Sequence, residues 1–153
     1  MTLSVAESYT GGRLQDLLTN VPGSSKVFLG GLVAYDDNLK VTFLGVSPAL
    51  IRKHGAVSAE VALAMARGAR KRFRSDVATS TTGIAGPRGA RPNKPRGLSY
   101  VAVVAPKTYL VERRILQGSR IRIKDRGAQQ ALRLVVKVAL PKPLRRRPGS
   151  RTT

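Results

Sequence analysis

The chain has 153 residues, 42% hydrophobic and 24% charged, which is enough length and apolar content for one globular domain. It has no cysteine, one histidine and eight scattered carboxylates, so disulfides, thiolate catalysis and cysteine-bound metals are excluded and no metal-ligand cluster stands out. No apolar run approaches the ~20 residues of a membrane-spanning helix. We therefore expect a cytoplasmic protein without membrane contact, cofactor or metal.

The positive charge is unevenly distributed along the chain. Residues 67–153 hold 23 Lys and Arg against three carboxylates, so the whole net charge of +20 lies there. Such a surface attracts polyanions through counterion release. Its aromatic residues, Phe73, Tyr100 and Tyr109, are too sparse for a base-stacking platform. We interpret most of this charge as solvated surface with non-specific polyanion affinity.

The chain opens with a predicted strand at residues 3–6 and a short helix at 11–20, joined by a turn of hydroxyl groups and glycines. Gly11 and Gly12 would let backbone N–H groups approach a ligand at the positive end of that helix. Ser8 would then lie where an oxyanion or phosphate is stabilised. The alternative is a structural turn in which Thr10 caps the helix. Taken alone, this segment favours the alternative.

The middle of the chain predicts one strand and three helices. The strand covers residues 27–34, and Gly30 with Gly31 suggests a bulge in it. Short helices are predicted at 36–44 and from Ser47 to about residue 54. Ser58 caps the most clearly amphipathic helix, whose apolar stripe we interpret as core.

A third strand at 76–81 leads into a second turn of hydroxyl groups and glycines at 82–87. Ligands gather where strand ends converge in an open α/β sheet, so two such turns would form a pocket. A hairpin follows, with strands at 98–105 and 109–116.

The last helix is predicted from about residue 120 to 139, with one apolar face formed by Ala128, Ala131, Leu132 and Val135. Pro141 ends it. Residues 141–153 are rich in proline and arginine, cannot bury a core and are predicted to be a disordered basic tail, which leaves residues 1–140 as the domain.

Several sequence blocks, in order along residues 3–140, together resemble a known family. They are Ala6-Glu7-Ser8-Tyr9-Thr10-Gly11-Gly12, Val21-Pro22-Gly23-Ser24-Ser25, Val33-Ala34-Tyr35, Leu44-Gly45-Val46, His54-Gly55-Ala56-Val57-Ser58 and Thr82-Gly83-Ile84-Ala85-Gly86-Pro87. The chain is similar to the CinA C-terminal domain family, the nicotinamide-nucleotide amidohydrolases. The resemblance implies a three-layer α/β/α domain with a mixed sheet that forms a homo-oligomer. It also implies hydrolysis of nicotinamide mononucleotide to nicotinic acid mononucleotide and ammonia, a step of pyridine nucleotide salvage.

The resemblance implies a catalytic Ser/Lys pair, with Ser8 as nucleophile, Lys40 as base and Tyr35 relaying or orienting the proton. The implied substrate-binding residues are Thr10, Gly11, Gly12, Ser24, Ser25, Thr82, Gly83 and Arg120. One of the two serines at 24 and 25 would hold the phosphate or ribose.

This chemistry is coherent, because serine attacks an amide only when a base takes its proton and N–H groups hold the oxyanion. Gly11 and Gly12 are the candidate N–H donors. The alternative for Lys40 taken by itself is a solvated surface amine.

Some positions depart from the family pattern. Tyr9 replaces a small cysteine beside the nucleophile and is expected to add bulk there. Asp37 replaces an asparagine, and a carboxylate near Lys40 would favour the ammonium form. Ser119 replaces an acidic residue, and we expect the chain to lack the helix that precedes the first strand in the family. The alternative function is therefore a catalytically weakened member that binds nucleotides or nucleic acid.

Overall fold

The structure is a computed structural model that describes residues 1–139, so the predicted tail at 141–153 lies outside the described residues. It has a five-stranded sheet in the order β2-β1-β3-β4-β5. The strands are β1 (Leu3–Glu7), β2 (Phe28–Val33), β3 (Val77–Gly83), β4 (Leu98–Ala105) and β5 (Thr108–Ile115). The first three are parallel, whereas β4 and β5 run antiparallel to their neighbours. The predicted α/β fold with a mixed sheet is confirmed.

Five α-helices cover the two faces of this sheet. They are α1 (Arg13–Thr19), α2 (Asp37–Leu44), α3 (Pro48–His54), α4 (Ala59–Phe73) and α5 (Arg120–Ala139). A 3₁₀ turn at Ser24–Lys26 precedes β2. One core packs β1 residues against α1 and α5, and a second core packs the other face of the sheet against α2 and α4. Consecutive β1 residues accordingly alternate between faces, with Val5 in the first core and Ala6 in the second.

The direction of the parallel strands distinguishes the two ends of the sheet. At the end that we call the carboxyl end, β1, β2 and β3 finish at Glu7, Val33 and Gly83. Because β5 runs parallel to β3, α5 also begins at this end, after Ile115. At the opposite end, the amino end, the parallel strands begin and the β4–β5 hairpin turns at residues 106–107.

Local sequence signals predicted most of these elements. The bulge in β2 is confirmed, since its register with β1 shifts between the pairs Leu3–Phe28 and Ser4–Gly30. The cap of α4 is confirmed as well, because Ser58 Oγ accepts a hydrogen bond from the N–H of Val61 at 3.3 Å.

Two local predictions are corrected. Gly12 rather than Thr10 is the N-cap of α1, without a side-chain cap. On α5, Ala128 and Ala131 are buried as predicted. Leu134 is buried with them, whereas Leu132 and Val135 are only partly buried. Within residues 1–139, no helix is long and apolar enough to cross a membrane.

Candidate functional site at the carboxyl end of the sheet

Ser8 extends β1 by one residue at the carboxyl end. Its N–H donates to the carbonyl of Thr81 on β3 at 3.0 Å, so the parallel ladder continues through this position. Ala6 packs against α4, and strand alternation places the Ser8 side chain on that same face. The residue is 8% exposed, which leaves a narrow approach to its hydroxyl.

Lys40 lies on α2, which packs on the same face of the sheet as α4. Its side chain is buried, and Nζ donates to the carbonyl of Tyr35 at 3.0 Å and to Asp37 Oδ1 at 2.9 Å. The neighbour of Tyr35, Ala34, donates its N–H to the carbonyl of Glu7 at 2.8 Å. The Lys40 amine is therefore held at the carboxyl end, close to where β1 finishes.

The structure brings Ser8 and Lys40 to one end and one face of the sheet. Among the hydrogen bonds of residues 1–139, however, none joins Ser8 Oγ to Lys40 Nζ. The amine instead forms a salt bridge with Asp37. The predicted proximity of this carboxylate to Lys40 is confirmed.

Tyr35 and Arg120 meet across the mouth of this end. Arg120 Nη2 donates to Tyr35 Oη at 3.2 Å, and Nη1 donates to the carbonyl of Gly86. They line what we call the Tyr35 cleft, of about 150 Å³. Its lining is Tyr9, Tyr35, Gly83, Ile84, Ala85, Gly86, Arg88, Gly89 and Arg120. Ligand pockets usually measure ~300–1,000 Å³, so this cleft has room for only part of a ligand of that size, and its two guanidinium groups suit an anion.

Glu7 is a buried carboxylate beside the site whose structural role the sequence analysis missed. Its fully buried carboxylate accepts hydrogen bonds from the N–H groups of Gly12 at 3.1 Å, Leu14 at 3.1 Å and Gln15 at 3.0 Å. It thus binds the N-terminus of α1, where an anion is stabilised by the helix dipole. The available signal was a carboxylate directly before a glycine turn and a helix.

The Glu7 interaction corrects the predicted oxyanion donors. The N–H of Gly12 is bound to Glu7, and the N–H of Gly11 donates to the carbonyl of Ser8 at 3.0 Å. Both N–H groups are therefore occupied, and neither is available to a substrate in this structure.

The threonines of the predicted binding set use their hydroxyls inside the protein. Thr10 Oγ1 hydrogen bonds to Thr81 Oγ1 at 2.7 Å, and Thr82 Oγ1 donates to the carbonyl of Ala56 at 2.8 Å. Both side chains are buried and fix the turns that surround Ser8. Of the predicted site residues, Tyr35, Gly83 and Arg120 line the Tyr35 cleft.

Ser24 and Ser25 lie at the other end of the sheet. Their 3₁₀ turn immediately precedes β2, so they are at the amino end, whereas Ser8 follows β1 at the carboxyl end. Strands rise about 3.3 Å per residue, so roughly 15 Å of strand separates the two sites. Within one chain, the structure does not bring these serines to Ser8.

Tyr9 packs into the face of the sheet that α5 covers. Its hydroxyl hydrogen bonds to Ser99 Oγ at 2.6 Å, and Ser99 Oγ donates to Gln130 Oε1 at 2.9 Å. A Cβ at Gly127 of α5 would lie 1.9 Å from Tyr9 Oη, so this ring requires a glycine opposite it. Burial raises the pKa of Tyr9 to about 12, although the hydrogen bond with Ser99 lowers it somewhat. The Tyr9 ring was expected to add bulk beside Ser8, but most of the ring lies under α5.

No group of three or more histidine or carboxylate side chains within residues 1–139 is arranged to hold a metal ion. The side chains that the carboxyl end offers for chemistry are a hydroxyl, an amine, a phenol and a guanidinium.

Comparison with known proteins places these residues in a family context. The profile of the CinA C-terminal domain matches residues 1–139. A putative competence-damage inducible protein of Moorella thermoacetica is 48% identical over 135 residues, which are 88% of this chain and 33% of that protein. A CinA-like protein of Acidobacterium capsulatum is 48% identical over 134 residues, or 88% of this chain and 32% of that protein. The chain thus spans about a third of the length of these relatives.

Solved structures share the fold. A competence/damage inducible protein from Agrobacterium tumefaciens superposes with a TM-score of 0.89 at 37% identity, covering 92% of this chain and 86% of that one. A CinA superfamily protein from Escherichia coli gives a TM-score of 0.86 at 29% identity, covering 90% of this chain and 80% of that one.

Proposed function

Because this chain belongs to the CinA C-terminal domain family, we propose that it is a nicotinamide-nucleotide amidohydrolase that uses Ser8 and Lys40. The observation that supports this most strongly is the placement of both residues on one face of the carboxyl end, with the Lys40 amine buried. A buried amine that is held by a carbonyl and a carboxylate is not the solvated surface lysine of the alternative interpretation.

In the proposed reaction, Ser8 Oγ attacks the carboxamide carbon while Lys40 accepts the hydroxyl proton. The tetrahedral intermediate collapses as Lys40 returns that proton to the nitrogen, and ammonia leaves. Water then cleaves the ester on Ser8, releasing the carboxylate product and restoring the serine. To accept the proton, Lys40 must contact Ser8 Oγ as a neutral amine, so its salt bridge with Asp37 must be broken.

The oxyanion needs donors other than the glycine N–H groups. The N–H of Tyr9 directly follows the nucleophile and donates no hydrogen bond within residues 1–139. An N–H in this position is a common oxyanion donor in acyl transfer. We assign it that role here.

The Tyr35 cleft is the proposed site of the anionic part of the nucleotide. Arg88 and Arg120 supply its two positive charges, and Tyr35 Oη fixes the orientation of Arg120. Ser24 and Ser25 can serve a site at Ser8 only from another copy of the chain, so the homo-oligomer remains part of this proposal.

Ammonia release from nicotinamide mononucleotide tests the proposed function. We expect Ser8→Ala to lose at least ~10³-fold in kcat without a loss of thermal stability. The matched control is Ser4→Ala, which removes a hydroxyl from the same face of β1 at the amino end, where it hydrogen bonds to Ser75. A folded wild-type protein that releases no ammonia contradicts the function, and an active Ser8→Ala variant contradicts the nucleophile.

A further inference from the structure

A second cleft lies at the amino end of the sheet, far from Ser8. It has a volume of about 870 Å³ and lies between the last turns of α4 and the β4–β5 hairpin. We call it the basic groove, because its charged and aromatic lining consists of Arg67, Arg70, Lys71, Arg74, Lys107, Asp76 and Tyr109.

The positive charge of the basic groove is largely uncompensated. Asp76 is its only carboxylate, and this group accepts hydrogen bonds from the N–H of Thr2 at 2.6 Å and its hydroxyl at 3.2 Å. Within residues 1–139, the salt bridges include none of the groove cations Arg67, Lys71, Arg74 and Lys107. A cluster of unpaired cations in a concave surface concentrates the positive potential.

The cations of α4 are arranged in a row. Arg67, Arg70 or Lys71, and Arg74 follow one another at intervals of three or four residues, which is one helical turn or about 5.4 Å. Such a row presents one cation after another along a line, as a phosphate backbone requires. A single phosphate would need only two of them.

Arg74 lies at a backbone position that is unfavourable for arginine. It is the C-cap of α4 with φ of 52° and is the only residue other than glycine with positive φ among the described residues. Glycine is the residue that this left-handed conformation favours. The Arg74 guanidinium therefore lies at the end of the row of α4 cations, although the backbone conformation of Arg74 costs free energy.

Tyr109 adds an aromatic surface to the basic groove. Tyr109 is 56% exposed, and the guanidinium of Arg67 lies over one face of its ring at 5.5 Å from the centroid. An exposed ring beside a cation offers a stacking surface for a nucleobase.

We propose that the basic groove binds single-stranded nucleic acid, with the α4 cations on successive phosphates and Tyr109 stacked on a base. The groove is at the opposite end of the sheet from Ser8, so this binding is independent of the proposed amidohydrolase reaction.

Fluorescence anisotropy of a labelled oligo-dT, titrated with the full chain at several salt concentrations, tests the proposal. The groove variant is Arg67→Gln/Lys71→Gln/Lys107→Gln. The control, Arg52→Gln/Lys53→Gln/Arg133→Gln, removes the same charge from exposed positions outside the groove. We expect the groove variant to weaken binding at least ~10-fold and to reduce the salt slope by roughly 2. The control should stay within about threefold of wild type.

Two further variants test alternative explanations. The first separates a loss of binding from a loss of folding, and the second separates base stacking from charge. Arg74→Gly should keep or raise Tm and still weaken binding, because glycine suits the backbone and lacks the cation. Tyr109→Leu should weaken oligo-dT binding by roughly fivefold or more and leave binding of inorganic polyphosphate unchanged. Equal losses in the groove and control variants, or an oligo-dT affinity that Tyr109→Leu does not change, would overturn the proposal.

Discussion

The polar groups at the two ends of the sheet differ in their burial and in their bonding partners. At the carboxyl end, Glu7, Thr10, Lys40 and Thr82 are buried, and each has specific partners within hydrogen-bonding distance. At the amino end, the basic groove gathers cations that form no salt bridge within residues 1–139.

This difference indicates how each end responds to substitution. A buried polar group that loses its partner costs roughly 1–3 kcal/mol, so single changes at the carboxyl end should have large, specific effects. A solvated cation cluster acts through summed charge, so single changes at the amino end should have small effects that depend on salt.

The strongest way to disturb the carboxyl end is through the packing of Tyr9 against α5. Gly127→Ala would place a methyl group 1.9 Å from Tyr9 Oη, and we expect the free energy of unfolding to fall by about 3 kcal/mol. Urea denaturation measures this. In a Tyr9→Cys background the same alanine should be neutral or stabilising, because it improves helix propensity without a clash. Equal destabilisation in both backgrounds would contradict the packing role of this pair.

The hydrogen-bonded phenol of Tyr9 makes the stability of the carboxyl end sensitive to alkali. Burial raises the pKa of Tyr9 to about 12 from 10.0, so the unfolded chain loses its proton first as pH rises. Wild type should lose about 2–3 kcal/mol of stability between pH 10 and 12 that Tyr9→Phe does not lose. Parallel denaturation curves of the two proteins measure the difference. The exposed Tyr109, changed to Phe, is the control that should leave the pH dependence of wild type intact.

A smaller effect should come from the salt bridge between Asp37 and Lys40. Asp37→Asn removes the carboxylate that binds the Lys40 amine and competes with the Ser8 hydroxyl for it, and we expect kcat/KM for nicotinamide mononucleotide at pH 7 to rise by roughly fivefold. The matched control is Asp36→Asn, since asparagine keeps the N-cap that accepts from Asn38. An unchanged or lower rate in Asp37→Asn would show that this carboxylate does not oppose the reaction.

The order of the helices and strands could be predicted because each element carries its own signal in the adjacent sequence. The stripe of α4, the β2 glycines and the Pro106-Lys107 turn carry such signals. The convergence of two hydroxyl and glycine turns at the carboxyl end was also predictable, because both turns follow parallel strands.

The predictions that failed are of two kinds. Some concern contacts between residues that are distant in sequence, and others concern the end of the sheet at which a residue lies. Tyr9 and Gly127 are far apart along the chain, and no local pattern couples them. The position of Ser24 and Ser25 could have been inferred, because residues before a parallel strand lie at the opposite end from residues after one. The partners of Glu7 are backbone N–H groups, so the only sequence signal for its burial was its position ahead of a glycine turn and a helix.

The most direct test of the Ser8/Lys40 assignment is a double-mutant cycle on kcat/KM for nicotinamide mononucleotide. Ser8→Ala, Lys40→Met and the double variant are compared with wild type by ammonia release. Residues that act as one catalytic unit are strongly non-additive, so we predict that the double variant is no slower than Ser8→Ala alone. Losses that multiply in the double variant would show that the two groups act independently and would contradict the pair.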